Sequence, residues 1–205
     1  MKNVVNVSSA NLEVPELICK IVKWHYDRNL VHGSDNKNQT LKLVQEFGEL
    51  GFNLLNRNYI GDDVGDMVVV LINLMEREGF NFKRCIENSV DRSLEKGPNF
   101  LRTNKKLPET IENYLKFYTN MNLLSEEHII TLCERLIYSM GQLSDAVCRG
   151  KDLSIHIGFI LRDLFALAES HNLTIESCLE QAWNDIKDRK GMMVDGVFVK
   201  EADLT

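Results

Sequence analysis

Proline is nearly missing from this chain of 205 residues: Pro15, Pro98 and Pro108 are all it has. Each falls where a helix should begin or a connection should run, so long helices can form without a break in their hydrogen bonding. The five cysteines, Cys19, Cys85, Cys133, Cys148 and Cys178, are widely spaced and include no C-x-x-C pair. That argues against a structural zinc site or a disulfide framework, and for reduced thiols in a cytosolic protein. A basic surplus is also lacking. The formal net charge of −6 speaks against a broad nucleic-acid-binding face, although it leaves room for a small phosphate pocket. The most apolar run, Met67–Met75, is too short to span a bilayer and is interrupted by Asn73. MKNVVNVSSANLEVP at the N-terminus lacks the apolar core of a signal peptide. Neither a Walker A loop nor a G-x-G-x-x-G string occurs, so the common nucleotide-binding folds lack support. A cytoplasmic, membrane-free protein that does not bind nucleic acid is the expectation.

What is present is an ordinary globular balance, 44% apolar and 26% charged, arranged with helical periodicity almost throughout. The pattern predicts a helix over Pro15–Asp27, with Leu17, Ile21 and Trp24 on one stripe, then the polar loop VHGSDNKNQ. A second helix begins near Asn38. A third runs from about Asp62 through Met75 and is apolar almost all round, which makes it the buried, central one. After a break at Gly79 a fourth spans roughly Asn81–Glu95, and GPNFLRTNKKLP is the one clear linker. Helices are then predicted over Glu109–Asn120, from a Ser125 cap to about Arg149, over Leu153–His171 and over Thr174–Lys190. Asp195-Gly196 between apolar runs signals a closing β-hairpin.

The order repeats. A shift of 93 residues brings Gly48 onto Gly141, Leu50 onto Leu143, Gly65 onto Gly158 and Leu71 onto Leu164. The same shift pairs Leu74 with Leu167, Glu76 with Glu169, Cys85 with Cys178 and Glu87 with Glu180. A constant offset across three helices reads as an internal duplication of a four-helix unit. The predicted class is therefore all-α, with two tandem units closing into a bundle. Residues 1–100 form the first, 101–120 the linker and first helix of the second, and 121–205 its remainder with the hairpin.

Four acids stand out. Glu46 and Glu49 lie three apart on the second helix, and Asp63 and Asp66 three apart at the start of the third, so each pair shares a face. A short turn around Arg57–Gly61 makes those helices antiparallel neighbours. Four converging carboxylates are costly unless a cation lies among them, and Mg²⁺ in particular is shared with substrate phosphates. At the 93-residue shift Glu46 meets Ser139, Glu49 meets Gln142, Asp63 meets His156 and Asp66 meets Phe159. The second copy keeps the frame and loses every acid, so the acids are dispensable for folding. Asn88, Arg92 and Lys96 fall four apart on the fourth helix, and the two cations among them, Arg92 and Lys96, suit phosphate oxygens. The plainer reading is that acids at this spacing form a solvated face, with Asp62 and Asp63 serving the helix start. By the same plain reading Arg92 and Lys96 are surface charges, His25 and His32 sit at helix ends or loops, and Trp24 and Trp183 belong to the core.

The runs Q-x-L-K-L-V-Q-E-F-G-E-L and D-D-V-G-D-M-V-V-V-L resemble the MazG-like all-α nucleoside triphosphate pyrophosphohydrolases, whose pattern is E-x-x-E, a spacer, then E-x-x-D. The resemblance covers about residues 20–100, with an acid-less echo over about 109–200, and AWNDIKDRKGMMVDGVFVKE looks like the end of single-copy relatives. It implies that Glu46, Glu49, Asp63 and Asp66 bind Mg²⁺, or Mn²⁺ in its place, and carry catalysis. Asp63 stands where the family usually has glutamate, and Gln45 where many members have another. Arg92 and Lys96, with Asn88, Gln39 and Lys42, are the substrate-binding candidates, the stretch His32–Gln39 bordering the base pocket. The implied reaction is hydrolysis of a (deoxy)nucleoside triphosphate to monophosphate and pyrophosphate. The implied assembly is a homo-oligomer or, as in the related dimeric dUTPases, an intrachain pseudo-dimer whose second copy lends basic residues from Lys187–Lys190. Three rivals stand beside this reading: a non-catalytic nucleotide-binding or regulatory module, a helical interaction protein without a cation site, and an alarmone (ppGpp) hydrolase.

Overall fold

A computed structural model describes residues 14–96 and 126–204, with side chains for 14–89 and 129–204. The predicted helix Glu109–Asn120, the Ser125 cap and the linker lie outside the described residues. Four helices precede that gap: α1 (Val14–Asp27), α2 (Asn36–Leu55), α3 (Gly61–Glu78) and α4 (Phe82–Lys96). Three follow it, α5 (Glu126–Arg149), α6 (Ser154–Ser170) and α7 (Ile175–Ile186), and then β1 (Gly191–Val194) and β2 (Val197–Lys200). The described chain is thus mainly helical, with a short antiparallel hairpin in which Met192 pairs with Val199. Asp195 and Gly196 turn that hairpin with φ of 49° and 81°, the left-handed pair that a two-residue turn demands.

Local chemistry sets the boundaries. Asp35 starts α2 by accepting the Asn38 N–H at 2.7 Å, three residues ahead of the predicted start. Arg57, with φ of 55°, ends the second helix and sends the chain back along α3. Val64, Met67, Val68 and Leu71 are sealed from solvent, and α3 is the central helix, as its all-round apolarity requires.

At several helix boundaries, residues 93 apart adopt a similar local backbone. Gly79 and Asn172 both turn with positive φ, 66° and 58°, at the ends of α3 and α6. Arg57 and Gly150 do the same at 55° and 61° after α2 and α5. The N–H groups of Phe80 and Leu173 close onto Met75 and Ala168 at 2.8 and 3.0 Å. Asn81 receives the Arg84 N–H at 2.8 Å to start α4, and Thr174 receives the Ser177 N–H at 3.1 Å to start α7.

The tertiary contacts are exchanged between the two sets. Helix α4 packs on α6, and α7 packs on α3, while α2 lies against α3, α5 against α6, and α2 against α5. Two glycines make the exchange tight. A Cβ on Gly65 would stand 2.2 Å from the Cys178 carbonyl oxygen, and one on Gly158 would stand 2.0 Å from that of Cys85. Cys85 and Cys178 are themselves buried thiols, pushed up to about 12 and about 11 by burial, and all five cysteines are free.

One helix ends earlier than its sequence pattern suggests. The apolar and polar alternation continues to Lys190, but α7 stops at Ile186 and a turn follows. Side chains from the end of α1 capture the carbonyls that would have continued it: the Trp24 indole donates to Ile186 O at 2.7 Å and Arg28 Nε to Arg189 O at 2.9 Å. No described helix is long and apolar enough to cross a membrane.

Candidate acidic site on α2, α3 and α7

The antiparallel pairing of α2 and α3 sets Glu46 and Glu49 beside Asp62, Asp63 and Asp66, and each partner is identifiable. Glu46 is 4% exposed and forms an ion pair with Lys42, one turn earlier on α2. Glu49 is exposed; the Gln45 amide donates to its Oε1 at 3.0 Å, and Lys42 Nζ donates to Gln45 Oε1 at 3.2 Å. Asp63 is buried and takes the Asn53 amide on both oxygens, at 3.0 and 2.9 Å. Asn53 is itself oriented by Asn58, which donates to its Oδ1 at 2.9 Å.

The charges act on one another. Burial pushes Asp66 up to about 7, and the charges of Glu46 and Asp62 push the same way against Arg189 and Lys42. Asp63 is also raised, by burial first and then by Glu49 and Glu46, while the Asn53 hydrogen bond opposes the rise. Asp62 is pushed up to about 6 by burial, then by a hydrogen bond and the charge of Asp185 on α7, with Asp63 and Glu46 adding to it. A carboxyl–carboxyl hydrogen bond needs a proton on one of its two partners, and the upward push on Asp62 favours one there. The other side of that carboxyl is less well served, because Asp62 Oδ1 is buried without a hydrogen-bond partner.

The four acids singled out by spacing therefore lie in one field. They do not yet form a ligand shell: among the described residues no three His, Cys, Asp or Glu side chains are grouped so as to hold a metal ion. Lys42 occupies Glu46 and Asn53 occupies Asp63, which keeps the carboxylates on separate partners.

The other predicted residues divide. Lys42 belongs to the acidic field, and Gln39, one turn before it, is buried with its amide on Ser34 Oγ at 2.9 Å. Asn88 is not drawn to the acids; its amide donates to Ser154 Oγ at 2.8 Å, at the start of α6. The side chains of Arg92 and Lys96 lie outside the described residues, on a helix that packs against α6. The exchange of α4 and α7 explains the division. The 93-residue offset carries Asn88, Arg92 and Lys96 onto Gln181, Asp185 and Arg189, and of that second set Asp185 acts on Asp62 and Arg189 on Asp66. Asn53, Asp62 and Asp185 were not singled out as site residues. The offset, applied to the fourth helix as it was to the acids, is the signal that points to Asp185.

A pH dependence follows from these environments. Asp62 and Asp66, raised from 3.8 to about 6 and about 7, hold their protons more tightly in the folded chain. That stability is whole below the ordinary carboxylate range and is lost as pH climbs through about 6 and 7. His25 works the other way: burial lowers it from 6.5 to about 3, so its share is present above 6.5 and lost on acidification. The difference between wild type and Asp66→Asn isolates the first effect. Without divalent ions the variant should gain in Tm over wild type between about pH 5 and about pH 8. A difference in melting curves that stays flat over that range would show that Asp66 ionises freely.

Comparisons with known proteins place the chain only loosely. No family model matches it, and no solved structure matches it. A protein of Haemophilus phage HP1 (strain HP1c1), described as an uncharacterized 18.2 kDa protein in the rep-hol intergenic region, is 36% identical over 86 residues. The alignment covers 41% of this chain and 47% of that protein, so the chain spans about half the length of its curated relative. That description names no activity.

Proposed function

We propose that the protein is a MazG-like hydrolase that cleaves (deoxy)nucleoside triphosphates to the monophosphate and pyrophosphate with the help of Mg²⁺ or Mn²⁺. The observation that carries this reading is the convergence of Glu46, Glu49, Asp63 and Asp66 in one field. In the reading, the backbone repeat is a duplicated unit whose second copy has lost the acids and folds back as an intrachain pseudo-dimer, lending α7 to the first. The donor set suits a hard divalent cation, all carboxylate oxygen, and the buried unpartnered Asp62 Oδ1 is the kind of atom a cation or its bound water would satisfy. Glu46, Glu49, Asp63 and Asp66 would hold it, which requires Lys42 and Asn53 to yield their present partners. When bound, the cation supplies positive charge to the phosphate oxygens.

The chain's own residues do the rest. Lys42 and Arg189 are the cations that flank the acids, and both can pair with the oxygens of a polyphosphate. Gln45 links Lys42 to Glu49 and keeps that carboxylate turned toward the field. A panel of nucleoside triphosphates with Mg²⁺ or Mn²⁺, reading pyrophosphate against orthophosphate and including ppGpp, tests the proposal. Pyrophosphate release from at least one triphosphate is expected, and none from any would sink it.

Cation binding is checked separately. Mg²⁺ at a hundredfold its dissociation constant should stabilise the fold by about 2.7 kcal/mol, raising Tm by roughly 5–10 °C. A chain in which the acids are only a solvated face would melt at the same temperature with or without the ion.

A second reading, a non-catalytic nucleotide-binding module, is favoured by Gln45, a neutral amide beside Glu49. It predicts nucleotide binding by calorimetry with no turnover at any divalent-ion concentration.

A further inference from the structure

The segment after α7 is held by the end of α1 in a way that the proposed chemistry does not by itself explain. A helix leaves its last carbonyls without partners, and they are met by side chains, by water or by a tightened turn. Here Trp24 on α1 takes one of them, and Arg28, one residue past α1, takes two carbonyls of the turn that follows. The Trp24 indole donates to Ile186 O at 2.7 Å, in a buried bond. Arg28 donates from Nε to Arg189 O at 2.9 Å and from Nη2 to Lys187 O at 3.3 Å. The Arg28 guanidinium also lies over the Trp24 ring, 4.7 Å from its centroid, which fixes the fork while it serves both carbonyls.

Further backbone bonds hold the turn. Arg189 N–H closes onto Ile186 O at 2.9 Å, and Glu201 N–H onto Lys190 O at 2.9 Å. Phe198 on β2 packs at 5.8 Å against the other side of Trp24, so the hairpin braces the same indole. The result is a short turn held at Ile186, Lys187, Arg189 and Lys190.

Its side chains point to a purpose. Lys187 turns back to its own helix, donating to Asn184 Oδ1 at 2.8 Å. Arg189 faces the acids instead, near enough to act on Asp66. The field holds Glu46, Glu49, Asp62, Asp63, Asp66 and Asp185, against which Lys42 and Arg189 are the acting cations. A polyphosphate entering so acidic a field needs a cation held in place, because a mobile arginine would lose side-chain entropy on every binding event.

We propose that Arg28, seated on Trp24, is a positioning residue that sets the Lys187–Arg189 turn so that Arg189 meets the phosphate chain of a bound nucleotide. The proposal rests on the acidic site being a polyphosphate site. It assigns α1, which bears none of the acids, a part in binding through carbonyl oxygens alone. Arg28 does not touch the substrate.

The test is a double-mutant cycle on Arg28→Ala and Arg189→Ala, with Kd for inorganic tripolyphosphate and Mg²⁺ by calorimetry, and KM and kcat for the best triphosphate. Each single variant should raise Kd and KM about tenfold with a smaller change in kcat, and the double variant should be no worse than Arg189→Ala. Arg28→Lys should recover part of the loss, since an ammonium can still reach one carbonyl. Should Arg28→Ala fail to fold, Trp24→Phe, which removes the indole donor and keeps a ring, takes its place with the same expectation. A double variant about a hundredfold weaker, the product of the singles, would show that Arg28 acts on its own and overturn the positioning role. So would an unchanged Kd in Arg28→Ala. Wild-type protein that binds no tripolyphosphate at all would instead remove the polyphosphate site, and the proposal with it.

Discussion

Asp66→Asn and Glu49→Gln should each lower pyrophosphate release by about a thousandfold, roughly 4 kcal/mol of transition-state stabilisation, with the fold intact. The two parts of that expectation have separate causes. Asp66 is pushed up to about 7, so near neutral pH without a cation the chain already holds a protonated Asp66 much of the time. A carboxamide has the same shape and is neutral at every pH, so the apo fold should accept it without loss. What it removes is the negative charge that a cation and its phosphates require. Glu49 is exposed and, among the described residues, hydrogen-bonded by the Gln45 amide, so Glu49→Gln should also cost the fold little. Circular dichroism and melting curves verify the fold, and a coupled pyrophosphate assay reads the reaction. Release within tenfold of wild type in either variant would take that residue out of the site.

Gly65→Ala and Gly158→Ala should destabilise the protein by similar amounts, about 2–3 kcal/mol, or roughly 5–10 °C in Tm. The added methyl carbon at 65 would sit 2.2 Å from the Cys178 carbonyl oxygen, and that at 158 only 2.0 Å from Cys85 O. Both obstacles are helix backbone, which cannot rotate aside as a side chain can, so a pair of helices must separate. The gain in helix propensity from glycine to alanine, about 1 kcal/mol, offsets only part of the strain. Gly141→Ala is the control: nothing stands within 4 Å of its would-be Cβ, and the same change there should stabilise. The two damaging variants should then differ in function. Gly65 lies where α3 meets α7, the contact that brings Asp185 to Asp62 and Arg189 to Asp66, whereas Gly158 lies where α6 meets α4. Tripolyphosphate affinity should fall further in Gly65→Ala than in Gly158→Ala at equal loss of Tm. Equal losses of affinity would show that α7 contributes nothing specific to the acids.

Most of the helical layout was legible because it is written in short-range terms. The run from Val64 to Met75 is apolar almost all round, and α3 is accordingly the buried helix. Asp195-Gly196 specifies its turn through backbone angles that few other pairs adopt. The end of α7 was not legible, since nothing between Ile186 and Lys190 forbids a helix. Trp24 and Arg28, more than a hundred and fifty residues away, end it by taking its carbonyls.

The candidate site divides along the same line. Spacing alone selected Glu46, Glu49, Asp63 and Asp66, because residues three apart share a helix face, and one short turn sets the two faces together. Those properties lie within thirty residues of chain and need no tertiary information. The partners of the acids did need it. Asn88, Arg92 and Lys96, with two cations, suit a phosphate better than Gln181, Asp185 and Arg189 do, and one-dimensional pattern cannot say which set packs beside the acids. Packing decided it: Gly65 lets α7 approach α3, Gly158 lets α4 approach α6, and each fourth helix thereby faces the other half's third. By itself the sequence determined the helices, their offset of 93 and the four acids, all consequences of local geometry. Only the tertiary structure decided that Asp185 acts on Asp62 and Arg189 on Asp66, because that depends on the close approach of α7 to α3 at Gly65 and Cys178, residues more than a hundred apart in the chain.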